Sequence, residues 1–379
     1  MSAAGLNPLG QFRPPLPDRV GALDGLRGWA ALGVLLFHLT WELFGEVFPV
    51  YRSVFALLFT GGGGLAVCTF FVTSGYLLTI RRWYVDDDKR LIVQLFKRYV
   101  RLTVPIIASA LIFWAVLATN LDFSEPASRI VERSTWLRPF GKANPDLVAA
   151  ITFALWRNYI IDRAQNYGPF LWTMAIQWWG SLLTMPVAYG SKVLREPYSP
   201  LLLLVVVLLY LYPYLACIPL GALLALLERD GIVFRTPAKR LESAVATVSF
   251  FAIILISSAL EDWKVRMILQ VGLSLLFVAA AMRSAPLSRM FSSPLSLFFG
   301  RISFPVYLVQ GAVLISLTSW LIIWVNDAAA LNQWTALAIV AVSVAVTVVA
   351  SWAFMPVEHL AVWLVRRIDG AGKGRPRPA

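Results

Sequence analysis

The chain has 379 residues, 59% of them hydrophobic and only 14% charged, where a soluble domain carries about a quarter charged; its mean hydropathy is +0.70. The formal net charge is +12, but the basic residues cluster in short segments between apolar runs. That is the positive-inside pattern with attraction to anionic lipid, and it argues against nucleic acid as the partner. Cys68 and Cys217 both lie in apolar runs and there are only two histidines, which argues against a disulfide framework and a histidine-based metal site.

In chain order, residues 1–20 are Pro-rich and polar and are expected to form a disordered cytoplasmic segment, not a secretory signal. Runs of about 20 apolar residues, long enough to cross ~30 Å of hydrocarbon, follow at about 27–45, 58–80, 102–119, 169–190, 199–213, 214–228, 241–260, 265–283, 303–325 and 333–361. The second begins at four consecutive glycines, Gly61 to Gly64, which suggests close backbone approach or a local break. The segment 81–101 holds Arg81, Arg82, Lys89, Arg90, Lys97, Arg98 and Arg101. It is the strongest basic cluster and is therefore assigned to the cytoplasm.

The apolar stretch 147–161 is too short to span and reads as re-entrant or interfacial. Pro213 divides 199–228 into two crossings. The expectation is an all-α, polytopic membrane protein of about ten transmembrane helices, both termini cytoplasmic. A transmembrane domain over 21–366 would be followed by a disordered basic cytoplasmic tail, 367–379. The absence of any Asn-x-Ser/Thr site fits a multi-pass protein of the plasma (cell inner) membrane.

Within the first run, LDGLRGWAALGVLLFHL, lie Arg27 and His38. An ionisable group at the bilayer centre costs a few kcal/mol unless it faces a cavity or a partner. Eleven positions of α-helix give ~16 Å of rise and three turns plus ~20° of rotation, so both side chains share one face. Other polar positions inside or beside spans are Ser74, Arg98, Arg101, Trp172, Thr173, Gln177, Arg301, Ser303, Tyr307, Gln310 and Glu358. Singly, each has a plain reading. Arg27, Arg98 and Arg101 would serve as positive-inside charge, Ser74-Gly75 as a small-residue helix contact, and Trp172 as part of an interfacial belt. Tyr307 would be a buried tyrosine with a satisfied hydroxyl.

Together they form a series. LDGLRGWAALGVLLFH resembles the first-helix signature of the membrane acyltransferase-3 family, an Arg followed ten residues later by a His. Phe70-Phe71-Val72-Thr73-Ser74-Gly75-Tyr76-Leu77, the basic run Phe96 to Pro105, Leu171-Trp172-Thr173-Met174 and Gly300-Arg301-Ile302-Ser303-Phe304-Pro305-Val306-Tyr307-Leu308 resemble that family's further motifs, in order. Two positions depart from the pattern. Gln177 stands where an acidic residue is frequent, and Gln310 where a histidine is frequent. Glutamine carries no charge or transferable proton at neutral pH, which concentrates proton chemistry on His38.

The resemblance implies transfer of an acyl group, most often acetyl, from cytosolic acyl-CoA to a hydroxyl of a carbohydrate or related acceptor. His38 would be the general base, and Arg27 would help to hold the donor. Arg27, Arg98, Arg101, Ser74 and Tyr307 are the donor-binding candidates; Trp172, Thr173, Gln177 and Ser303 are the acceptor-binding candidates. No metal and no permanently bound cofactor is implied. Acyl-CoA, a hydroxyl acceptor, the lipid bilayer and glycan-assembly proteins are the expected partners. A transporter or flippase of a lipid-linked glycan, or a catalytically degenerate family member, remains as the alternative.

Overall fold

The computed structural model describes residues 19–53, 63–84, 91–160, 167–190, 197–234, 238–259 and 263–371. Every regular element among them is helical, as the bilayer requires of a backbone that must satisfy its own hydrogen bonds. In chain order the helices are α1 (Arg19–Phe37), α2 (Gly64–Tyr84), α3 (Leu91–Ala118), α4 (Ser124–Ile130), α5 (Leu147–Leu155), α6 (Trp172–Gly190) and α7 (Tyr198–Leu211). Then follow α8 (Pro213–Arg229), α9 (Arg240–Ala259), α10 (Trp263–Arg283), α11 (Ala285–Phe291), α12 (Pro294–Val313), α13 (Ser319–Ala329) and α14 (Gln333–Ala371).

Among the described residues, six stretches are long and apolar enough to cross a membrane: Gly21–Glu42, Leu91–Ala118, Arg240–Ser258, Val265–Arg283, Pro294–Ala328 and Gln333–Ile368. Gly64–Ile80 and Tyr198–Leu211 are apolar but shorter.

The expected boundaries hold where the chain carries punctuation. Pro213, at the first turn of α8, separates it from α7, because it brings no N–H to continue the preceding ladder. Asp146 caps α5 by accepting from the backbone N–H of Val148 at 2.8 Å, and α5 is the short helix expected near 147–161. Boundaries move where the expectation relied on charge. The third span was placed from 102, but α3 starts at Leu91 and carries Lys97, Arg98 and Arg101 within it. Apolar Leu91, Ile92, Val93 and Leu95 continue the helix outward, and long basic side chains can reach the interface from inside it. The last helix likewise runs through Arg366 and Arg367 to Ala371, five residues into the expected tail. Residues 1–18 and 372–379, with Gly61, Gly62, Lys89 and Arg90, lie outside the described residues.

The chain divides into two compact units. The first comprises Met1–Val34, Leu57–Leu91 and Trp179–Ser303. Its tightest helix pair is α2 on α8. A Cβ added at Gly75 would lie 2.0 Å from the Ile218 carbonyl oxygen, and one at Gly221 would lie 2.0 Å from that of Val72. Each helix uses a glycine to admit the other's backbone, so Gly75 of the second motif is the small-residue helix contact. At the start of α2, a Cβ on Gly64 would lie 2.2 Å from Gln270 Oε1, a close approach of the kind the glycine run suggests. The N-terminal part of α1 packs as closely on α12, where a Cβ on Gly28 would lie 2.3 Å from the Gly300 nitrogen. Trp29 Nε1 donates to Ser296 Oγ at 2.9 Å beside it.

The second unit comprises Leu35–Ala56, Ile92–Trp178 and Phe304–Ala379. It contains two π-helical turns, His38–Glu42 after α1 and Leu314–Thr318 after α12. Such turns inside helices are frequent at functional sites. Phe123 N–H donates to the Ile315 carbonyl within the second of them at 2.8 Å. Ser109 of α3 donates to the Leu308 carbonyl at 2.6 Å and so ties α3 to α12.

Candidate functional site

Within the first unit, Arg27 is held between two of the sequence motifs. Its Nη1 lies 3.5 Å from Asp24 Oδ1 of its own turn, and its guanidinium sits 5.0 Å above the ring of Phe70. Its side chain is 23% exposed, so the cation is partly desolvated but reachable. Ser74 is half-buried beside Gly75. Ser303 belongs to the same unit, is buried, and donates its hydroxyl to the Gly300 carbonyl at 2.8 Å. That bond spends the Ser303 donor on its own helix and leaves its oxygen as an acceptor.

The second unit holds His38 with Arg98, Arg101, Trp172, Thr173, Gln177, Tyr307 and Gln310. α1 stays α-helical through Phe37 and becomes a π-helix at His38, so the register from Arg27 to His38 is the one that places both on one helix face. The imidazole is half-buried and boxed by aromatic rings. Phe170 stacks on it with centroids 4.0 Å apart and 15° between planes. Trp136 lies 6.2 Å away, tilted by 41°. Phe140 ties the two together, at 5.1 Å from Trp136 and 5.9 Å from Phe170.

Phe170 reaches this position by a sharp local turn. Gly168 has φ +151°, a conformation that disfavours any residue with a Cβ. Pro169 packs where a Cβ on Gly311 would be, 2.9 Å from its Cδ.

The polar partner of His38 is Gln310. His38 Nδ1 and Gln310 Oε1 are 3.3 Å apart. Among the described residues this is the one hydrogen bond of the His38 side chain. Gln310 is 2% exposed, and its Nε2 is buried with no acceptor among the described residues. An unmet buried donor costs about 1–3 kcal/mol. Tyr307, one turn earlier on the same helix, is also buried.

Two further clusters adjoin in sequence. Arg98 donates through Nη2 to Gln177 Oε1 at 2.8 Å, so the third and fourth motifs meet. Arg101 is exposed on α3. Thr173 is buried and donates to the Phe170 carbonyl at 2.9 Å, whereas Trp172 is half-buried. One turn past His38, Glu42 pairs with Arg133, which also reaches Glu46 Oε1 at 3.0 Å. Arg52 bonds the same Glu46 oxygen at 2.9 Å. The hydrogen bond from Arg52, and then its charge, hold the Glu46 carboxyl below the usual carboxylate range. His359, the other histidine, is exposed on α14. No group of three or more metal-binding side chains exists among the described residues.

Sequence reasoning missed Gln310, Phe170, Trp136 and the Arg133–Glu42 pair. Gln310 was set aside as a departure, when it is the group that touches the His38 imidazole. The aromatic residues lie 98 and 132 positions from His38 in the chain, and no local pattern links them to it.

A family model for an acyltransferase domain, acyltransferase-3, matches residues 20–355. Among curated proteins, the chain is similar to the O-acetyltransferase OatA of Staphylococcus aureus strains NCTC 8325 and COL. It is 26% identical to each over 170 residues, covering 42% of this chain and 23% of theirs. The chain therefore matches less than a quarter of the length of these curated relatives. No solved structure matches it.

Proposed function

The chain belongs to the acyltransferase-3 family, and from that premise we propose that it is a membrane O-acyltransferase in which His38 takes the proton of the attacking hydroxyl. The observation that carries this reading is the setting of His38 on a spanning helix. It is half-buried between aromatic rings, with one side-chain hydrogen-bond partner, Gln310, among the described residues. A histidine held in this way is suited to general base work near neutral pH.

In the proposed reaction the acceptor O–H loses its proton to His38 as its oxygen attacks the thioester carbonyl of an acyl-CoA. The carbon–sulfur bond then breaks, the acyl–oxygen ester remains, and the proton passes from His38 to the departing thiolate. A carbohydrate hydroxyl is the assigned acceptor, and acetyl is the assigned acyl group, the latter in keeping with the name of the curated relatives.

The guanidinium groups of Arg27, Arg98 and Arg101 are assigned to the donor's phosphates, Ser74 and Tyr307 to its remaining polar contacts. Trp172, Thr173, Gln177 and Ser303 are assigned to the acceptor. In this reading the chain crosses the plasma membrane ten times with both ends in the cytoplasm, where acyl-CoA is available.

Membranes carrying the chain, incubated with acetyl-labelled acetyl-CoA, are expected to transfer label to glycan. Movement of unmodified glycan across the bilayer without label transfer would replace this reading by transport. For Arg27→Ala, the expected result is a KM for acetyl-CoA raised by roughly 10- to 100-fold, as loss of a charge-assisted bond of ~1.5–3 kcal/mol implies, with kcat changed little. An unchanged KM would make Arg27 a topological anchor.

A further inference from the structure

We propose that Gln310 is a catalytic residue of this site, fixing the tautomer of His38 through Oε1 and donating its Nε2–H to the oxyanion that forms on the acyl carbonyl. The inference rests on the reading of His38 as the base. A carbonyl oxygen accepts and cannot donate. With Gln310 Oε1 at 3.3 Å from Nδ1, the proton of the neutral imidazole therefore sits on Nδ1. The lone pair is then on Nε2, and Nε2 is the atom that receives the proton of the acceptor hydroxyl.

The other end of the same amide is the second half of the argument. Gln310 is 2% exposed, and its Nε2 is buried without an acceptor among the described residues. In an amide the nitrogen and oxygen are about 2.2 Å apart by ordinary bond geometry, so this donor lies close to the imidazole edge. An acceptor oxygen one hydrogen bond from His38, attacking a carbonyl carbon, would bring the carbonyl oxygen within a few ångströms of it. A fixed donor aimed at developing negative charge is the arrangement that lowers the barrier of acyl transfer. The glutamine, unable to exchange a proton, performs both tasks as a neutral group. Its oxygen accepts from imidazole N–H and its nitrogen donates to the oxyanion, and neither bond is broken in the reaction.

Each step balances. The proton moves from the acceptor O–H to His38 Nε2 and on to the CoA thiolate. The acyl carbon exchanges its sulfur for the acceptor oxygen. Gln310 enters and leaves unchanged.

The test measures release of CoA thiol from acetyl-CoA by membranes bearing the chain, with their endogenous acceptor, after subtraction of membranes that lack it. Gln310→Met keeps the length of the side chain and removes both bonds; kcat per folded protein is expected to fall roughly 10²–10³-fold, with KM for acetyl-CoA within about threefold. Gln310→Glu keeps an acceptor for Nδ1 but has no N–H when ionised, and kcat is expected to stay low. Full kcat in Gln310→Met, or a loss carried by KM alone, overturns the proposal. Full kcat in Gln310→Glu overturns the oxyanion role. Should one variant fail to fold, the other still decides on the donor. If the unaltered chain releases no thiol, it is the acyltransferase reading itself that fails; if it turns over and Gln310→Met matches it, only the Gln310 proposal fails.

Discussion

Replacing His38 by alanine is expected to lower label transfer from acetyl-CoA by roughly 10²–10⁴-fold, the contribution of a positioned general base, with membrane insertion and yield unchanged. Each tenfold loss corresponds to about 1.4 kcal/mol of barrier, so the imidazole is asked for roughly 3–5 kcal/mol.

The substitution also removes the ring that stacks on Phe170 at 4.0 Å, and a packing defect alone would reduce activity by loss of folded protein. His38→Gln separates the two causes. It retains a planar polar group that can bond Gln310, yet it has no basic nitrogen at neutral pH. Both variants are therefore expected to be inactive per folded molecule, and His38→Gln to be the better folded of the two. The measurement is label transfer normalised to monodisperse protein from detergent size exclusion. Activity in His38→Gln near that of the unaltered chain would remove His38 from the chemistry and leave it a packing residue.

Much of the arrangement was legible because the motifs meet one another. Arg27 lies over Phe70, Gly28 over Gly300, and Arg98 bonds Gln177. The five motif segments, dispersed from residue 23 to beyond 300, thus pair by direct contact. Apolar run length placed the helices, because a bilayer leaves a spanning chain few alternatives to helix.

What was not legible has physical causes too. Charge does not mark a helix end inside the interfacial zone, so α3 began eleven residues before the expected span. A π-helical turn has no composition of its own, so neither His38–Glu42 nor Leu314–Thr318 was foreseen. Gln310 was judged by what it cannot do as an acid or a base. Its use as a neutral donor and acceptor shows only in its 3.3 Å contact with His38 and its buried nitrogen.

Gly28→Val is expected to have the largest effect on folding. An added Cβ would lie 2.3 Å from the Gly300 nitrogen and 2.4 Å from the Phe299 carbonyl carbon. Both are backbone atoms that cannot rotate away as a side-chain end can. The helices would have to separate, taking with them the Trp29–Ser296 hydrogen bond and the edge contact of Trp29 on Phe299 at 5.3 Å. Overpacking of this kind costs about 1–3 kcal/mol and more where backbone must move, a large part of a typical stability of ~5–15 kcal/mol.

Gly272→Val is the matched control. It makes the same chemical change within α10, where no atom lies within 4 Å of the added Cβ, so it is expected to be neutral or slightly stabilising as a helical glycine is replaced. The measurement is the temperature at which half the monodisperse peak is lost in detergent, expected to drop clearly for Gly28→Val and to hold for Gly272→Val. Equal behaviour of the two would mean that α1 and α12 do not approach at Gly28. The glycines shared by the first and last motifs would then need a reason other than packing, with a ligand brought against bare backbone as the next to test.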